Sequence, residues 1–204
     1  MSGTIDGPAG ALELRTDAPE GRSTALAVLC HPHPQYGGSM HDAVLDTLAT
    51  TLLARGTRCV RFNFRGVGRS AGRFDGGVGE REDVLAVVCH ARETHGPLPL
   101  LLAGYSFGAA MAWKAARAAD PQALLLVAPP VGAMAFEETD APACPVDIVV
   151  GALDDFAPEA AVRAFHGGLP RAGALSILPG CDHFFSGADG ALARAVLQPG
   201  EASG

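Results

Sequence analysis

Hydrophobic and polar positions follow two different periods along this chain, and the switches between them mark its elements. A period of two runs through residues 58–64, with Val60, Phe62 and Phe64 on one face and Arg61 and Asn63 on the other; this predicts a strand. A helical stripe follows Val44, Leu45, Leu48 and Leu52, and Gly56 closes it. Ser39-Met40-His41-Asp42 reads as the start of that helix, a capping box with aspartate standing in for glutamate. A second amphipathic helix runs from Glu80 to His95, with Val84, Leu85 and Val88 inward and Gly96-Pro97 as terminator. Unbroken apolar runs at Leu98–Ala103, Ala123–Ala128 and Val146–Val150 predict buried strands. Residues 11–16 and 24–30 read as two more, with the turn-rich Asp17–Gly21 between them. An alanine-rich helix runs from Phe107 to about Ala119, where Asp120-Pro121 stops it. Pro158 opens a short helix to about His166, Ala174–Leu178 is a final strand, Ala188–Leu197 is a final helix, and residues 199–204 form a frayed tail.

From Arg58 onward strands and helices alternate. That order predicts an α/β architecture: a doubly wound, mainly parallel sheet of about seven strands with helices on both faces. There is no repeat, no low-complexity linker and no composition break, so the 204 residues read as one domain. Reactive groups in such a sheet collect at the carboxyl ends of the strands. The loops bearing His31, Ser106, Asp154 and His183 all fall at such ends.

Composition narrows the partners. With 48% hydrophobic and 18% charged residues the chain reads as an ordinary globular protein. A net charge of −7 without a basic block argues against nucleic acid and anionic membrane surfaces. No apolar run approaches the ~20 residues that span a bilayer, and Met1–Asp6 has neither basic nor apolar signal-peptide character. Five cysteines at wide spacing, with no C-x-x-C, suggest core thiols in a reducing cytoplasm. The single lysine, Lys114, among fifteen basic residues suggests a GC-rich bacterial genome.

The candidate chemistry centres on Gly104-Tyr105-Ser106-Phe107-Gly108. A G-x-S-x-G between a buried strand and a helix is a sharp turn that holds the serine hydroxyl over the sheet edge. Serine needs a base to take its proton, and the base needs an orienting acceptor. Asp154 and Asp155 follow one downstream strand, and Asp182 and His183 follow another, giving the chain order Ser106, Asp154, His183. The N–H of Phe107 points into the same space and can donate to an oxyanion.

These motifs, together with His31-Pro-His-Pro…Gly37-Gly38 and Phe62-Asn-Phe-Arg-Gly-Val-Gly-Arg-Ser70, resemble the α/β-hydrolase superfamily over nearly the whole chain. The likeness is to the compact, lidless type of dienelactone hydrolases and small bacterial serine esterases. It implies Ser106 as nucleophile, His183 as general base then acid, and Asp154 rather than Asp155 or the adjacent Asp182 as its orienter. It also implies a second oxyanion donor in the His31 loop, where Pro32 stands in place of the usual glycine. His33 matches the donor position, and Tyr36 is the alternative. Lids in this fold sit between the strand after the elbow and the strand bearing the acid; residues 129–145 are too short for one, so the site is expected to be open.

The implied function is hydrolysis of small-molecule carboxylic esters, with thioesters and lactones open, and without cofactor or metal. A silent hydrolase-fold binding protein and an acyltransferase on the same residues are the alternatives. His31 and His33, with His41, have metal-ligand spacing, but the flanking prolines favour a shaped turn. Arg65 is expected to brace the Gly66–Ser70 loop, and Phe184 and Phe185 to pack in the core. Cys181, two residues before His183, is either a thiol that touches activity or an inert one. Monomer and homodimer are both open; strand 11–16, read as an edge, offers a surface for pairing between chains.

Overall fold

The structure, a computed structural model, describes residues 1–197; the tail expected at 199–204 lies outside them. Eight strands form one sheet: β1 (Ser2–Gly7), β2 (Gly10–Asp17), β3 (Ala25–Cys30), β4 (Thr57–Phe62), β5 (Leu100–Tyr105), β6 (Ala123–Val127), β7 (Val146–Gly151) and β8 (Ala172–Leu178). Their order is β1-β2-β4-β3-β5-β6-β7-β8. β1 and β2 run antiparallel to their neighbours, and the six strands from β4 to β8 in that order are parallel.

Five α-helices cover the described sheet: α1 (Ala43–Leu53), α2 (Gly79–His95), α3 (Phe107–Ala119), α4 (Glu159–Gly167) and α5 (Asp189–Leu197). Alternate residues of each central strand enter opposite cores. Val28, Val60, Leu102, Leu124 and Ile148 pack with α2, α3 and α4. Ala27, Leu29, Ala103, Leu125 and Val149 pack with α1 and α5. Strands buried on both faces explain the continuous apolar runs in the sequence. Each fully buried Val, Leu or Phe contributes about 1.5–3 kcal/mol, so this double core dominates stability.

Three expectations are corrected. The sheet has eight strands rather than about seven, because Ser2–Gly7 adds β1. Its sequence, S-G-T-I-D-G, has one large apolar residue and its residues are exposed or half-buried, so no hydrophobic period announces it. Consequently residues 11–16 are not an edge: β2 is paired on one side by β1 and on the other by β4. The helix after β3 is capped by Asp42, whose carboxylate accepts the Val44 N–H at 2.9 Å, and not by Ser39.

The polar face read at 58–64 is turned inward. Arg61 is buried beneath α1 and pairs with Asp17 and Asp46. Asn63 joins the loops, accepting from the Met40 N–H and donating to Glu13. The glycine-rich loop after β4 wraps the Glu13 carboxylate, which accepts from the N–H of Arg69. A Cβ at Gly68 would sit 2.6 Å from that carboxylate, so this loop binds a carboxylate of its own chain where a phosphate loop would bind a ligand.

Candidate active site

The elbow is strained where a nucleophile needs it. Ser106 has φ 54° and ψ −118°, a conformation that costs a non-glycine residue about 1–3 kcal/mol. Its neighbours make the turn possible. A Cβ at Gly104 would lie 2.1 Å from the Gly108 carbonyl oxygen, and a Cβ at Gly108 would lie 2.1 Å from that of Cys30. Only glycine lets β5, α3 and β3 approach this closely. The Ser106 N–H is held by Val127 O at 2.9 Å, and α3 starts at the next residue, with its amide dipoles facing the hydroxyl.

The structure brings Ser106, His183 and Asp154 into one line. Ser106 Oγ is 3.0 Å from His183 Nε2, and His183 Nδ1 is 2.8 Å from Asp154 Oδ2. The other Asp154 oxygen accepts the N–H groups of Phe156 and Ala157, which fix the carboxylate in a buried position. Asp155 points to solvent, and Asp182 caps the Phe184 N–H in its own turn, so neither approaches the imidazole as Asp154 does. Gly151 lets the acid and histidine loops meet: a Cβ there would be 2.3 Å from Cys181 O. Tyr105 donates its hydroxyl to the His183 carbonyl at 3.0 Å and lies beneath the ring.

The two candidates for a second oxyanion donor differ. The Tyr36 N–H donates to His33 O at 3.1 Å and is engaged. The N–H groups of His33 and Phe107 have no acceptor among the described residues, and the two side chains pack with ring centroids 5.0 Å apart. Burial pushes the His33 imidazole below its usual pKa. His31 is buried and holds this loop: Nε2 accepts the Phe64 N–H at 3.0 Å, which leaves the proton on Nδ1 to donate to Pro32 O at 2.6 Å. A trans peptide directs its C=O and N–H to opposite sides, so fixing Pro32 O also aims the His33 N–H. By sequence alone His31 reads as part of a shaped turn or as a metal ligand. Both its ring nitrogens are committed to backbone.

Around the site, Arg65 braces as expected: it makes a double contact with buried Asp83 at 2.7 and 3.0 Å, tying the post-β4 loop to α2. Phe185 is buried as expected, but Phe184 is 61% exposed and stands 5.5 Å from the His183 ring, so its packing in the core is corrected. The turn after β8 alternates its side chains, with His183 and Phe185 buried and Phe184 between them exposed. Cys181 is buried, with its thiol pushed up by burial, and all five cysteines are free. Residues 129–145 lie against the far half of α3, where Glu137 O accepts from Trp113 and Thr139 O accepts from Arg117; among the described residues no helical lid stands over Ser106. No helix among the described residues is long and apolar enough to cross a membrane.

A parallel sheet with a strained serine between β5 and α3 defines a class, the α/β-hydrolases. A family model described as "Serine aminopeptidase, S33" matches residues 22–135, more than half of the chain. The chain therefore belongs to that family of α/β-hydrolases. The matched stretch contains Ser106 but ends before Asp154 and His183. An alpha-beta serine hydrolase homologue from Coxiella burnetii is 38% identical, with a TM-score of 0.92 over 97% of this chain and 96% of its own. A member of the serine hydrolases without lid from Xanthomonas campestris is 38% identical, with a TM-score of 0.91 over 96% of this chain and 91% of its own. An uncharacterized protein of Rickettsia prowazekii is 30% identical over 191 residues, 89% of this chain and 80% of its own length.

Proposed function

We propose that this hydrolase cleaves small carboxylic esters through an acyl-enzyme on Ser106. The observation that carries the reading is the hydrogen-bonded line from Asp154 through His183 to Ser106. His183 Nε2 takes the Ser106 proton as Oγ attacks the ester carbon. The oxyanion that forms accepts from the N–H groups of Phe107 and His33; one such donor is worth about 3–4 kcal/mol in comparable sites. The imidazolium, held by Asp154, then gives its proton to the departing alcohol. Water enters, His183 takes one of its protons, and the acid is released with Ser106 restored. Every group used belongs to the chain or to water. Thioesters and lactones present the same carbonyl and fit the same steps, and transfer to an acceptor other than water differs only in the second half.

A second reading comes from the family's description: cleavage of an aminoacyl amide. An amine is a poorer leaving group than an alcohol and depends more heavily on the proton from His183. Rates on p-nitrophenyl esters from acetate to dodecanoate, set beside aminoacyl p-nitroanilides, separate the two. Ester turnover that vanishes in Ser106→Ala supports the proposal. Turnover confined to the anilides overturns it in favour of the peptidase reading. Activity on neither substrate, with Ser106→Ala indistinguishable from the parent, overturns both and favours a silent binding protein.

A further inference from the structure

Apart from the terminal Met1, the large hydrophobic side chains most exposed among the described residues are Tyr36, Val78, Leu153, Phe156 and Phe184. All stand on loops leaving the carboxyl ends of strands: Tyr36 after β3, Val78 after β4, Leu153 and Phe156 after β7, and Phe184 after β8. This is the edge that carries Ser106. Exposed apolar groups gathered on one edge mark a surface that meets a ligand.

Two of them enclose one imidazole. The Phe156 ring lies 4.8 Å from the His183 ring and the Phe184 ring 5.5 Å, with the two phenyl rings 6.3 Å apart, edge to face. Tyr105 is buried on the inner side of the same imidazole. The outward neighbours of His183 are therefore aromatic and open to solvent, Phe156 at 57% and Phe184 at 61%.

The chemistry decides which part of an ester meets them. The inference rests on the roles proposed above for Ser106 and His183. In the tetrahedral intermediate the carbon carries Ser106 Oγ, the oxyanion, the acyl group and the leaving oxygen. The oxyanion faces the Phe107 and His33 donors. The carbon–oxygen bond to the alcohol breaks only as His183 Nε2 hands its proton to the leaving oxygen, so that oxygen lies within hydrogen-bond reach of Nε2. The first carbons of the alcohol then run past the imidazole. The geometry points to Phe156 and Phe184 as the alcohol subsite, selecting neutral esters whose alcohol carries an aromatic ring or apolar chain near the ester oxygen. The acyl group takes the side away from these two rings.

The test compares kcat/KM for ethyl acetate, 2-phenylethyl acetate and ethyl 3-phenylpropanoate in the parent, Phe156→Ala, Phe184→Ala and Ser106→Ala. The parent is expected to favour 2-phenylethyl acetate over ethyl acetate, and each phenylalanine variant to lower that ratio about tenfold. The ratio of ethyl 3-phenylpropanoate to ethyl acetate is expected to move less than about twofold, since the ring is then on the acyl side. Should Phe156→Ala fold poorly, Phe156→Leu, which keeps apolar bulk without the ring, and Phe184→Ala carry the test. An unchanged alcohol ratio, with hydrolysis still abolished by Ser106→Ala, overturns the subsite and leaves the esterase reading intact. Equal falls in both ratios mean general damage to the site and also overturn the subsite. Turnover that is indifferent to Ser106→Ala overturns the underlying reading and the subsite with it.

Discussion

His31 and His183 invite comparison. Each follows a parallel strand at the same edge of the sheet, β3 and β8, and each is buried, at 0% and 7% exposure. Each uses both ring nitrogens. The partners differ. His31 lies between a backbone N–H and a backbone carbonyl, groups that never exchange protons at ordinary pH. His183 lies between a carboxylate and a hydroxyl, and the hydroxyl belongs to a half-exposed serine on a strained turn. One arrangement locks a tautomer and makes a strut; the other leaves a proton somewhere to go. Burial and residue type do not separate the two roles, whereas the chemistry of the partners does.

The sharpest way to break the comparison is to remove each ring. His183→Ala and Ser106→Ala should each lower ester kcat by about 10⁶-fold with the far-UV spectrum unchanged, as for groups that act as a unit. His31→Gln should cost kcat only about tenfold, through a loosened His33 N–H, and should lower stability by about 2 kcal/mol. Equal losses at the two histidines would erase the distinction.

Next comes the carboxylate that separates them. Asp154→Asn should reduce kcat about 10⁴-fold by favouring the wrong imidazole tautomer. Asp155→Asn and Asp182→Asn should stay within about threefold of the parent, because exposed charges at this distance are screened. Steady-state kinetics on one p-nitrophenyl ester reads all three.

The backbone contacts come third. Gly108→Ala places a Cβ 2.1 Å from Cys30 O, immediately before the His31 loop. A destabilisation of about 4 kcal/mol and a Tm fall of about 10 °C are expected by thermal melting. Gly96→Ala is the contrast. It meets nothing within 4 Å, although its φ of 79° adds strain, and it should cost about 1 kcal/mol.

The pH dependence of stability is smaller. Burial holds the His31 pKa down to about 4, whereas an unfolded imidazole titrates near ~6.5. Between those values the unfolded chain binds a proton that the fold refuses. Stability is therefore complete above about pH 6.5 and falls as the pH drops toward 4, by on the order of 3 kcal/mol from this group. Urea melts at pH 7 and pH 4.5 should show the loss, and His31→Gln should flatten it. Glu13, held below the usual carboxylate range by the Arg69 N–H, adds a loss at still lower pH in both proteins. The smallest effect concerns thiols. Exposed Cys89 should take up iodoacetamide in the native protein, slowed by its hydrogen bond to Glu93, while Cys181 stays protected and ester turnover is unchanged.

Much of the framework was legible in the residues. Continuous apolar runs mark strands buried on both faces, because such strands have no polar side to alternate. Gly104 and Gly108 mark the elbow, because two carbonyls occupy the space a side chain would need. β1 was not legible, since a strand with both faces partly wet carries little hydrophobic signal. Nor was the outward turn of Phe184, because a phenylalanine beside a buried phenylalanine reads the same whichever way the loop sends it.

By itself, then, the sequence determined the α/β class, the seven strands from β2 to β8, the strained serine and the order in which Ser106, Asp154 and His183 arrive. Those features are written in local patterns: periodicity, glycine spacing and turn residues. Only the tertiary structure decided which aspartate reaches the imidazole, which of His33 and Tyr36 keeps a free N–H, and that His31 is a strut. Each of these depends on where a partner far along the chain comes to rest, such as Phe64 for His31, 33 residues away, or Ser106 for His183, 77 residues away. Local spacing carries no information about an atom that the fold alone brings within 3 Å.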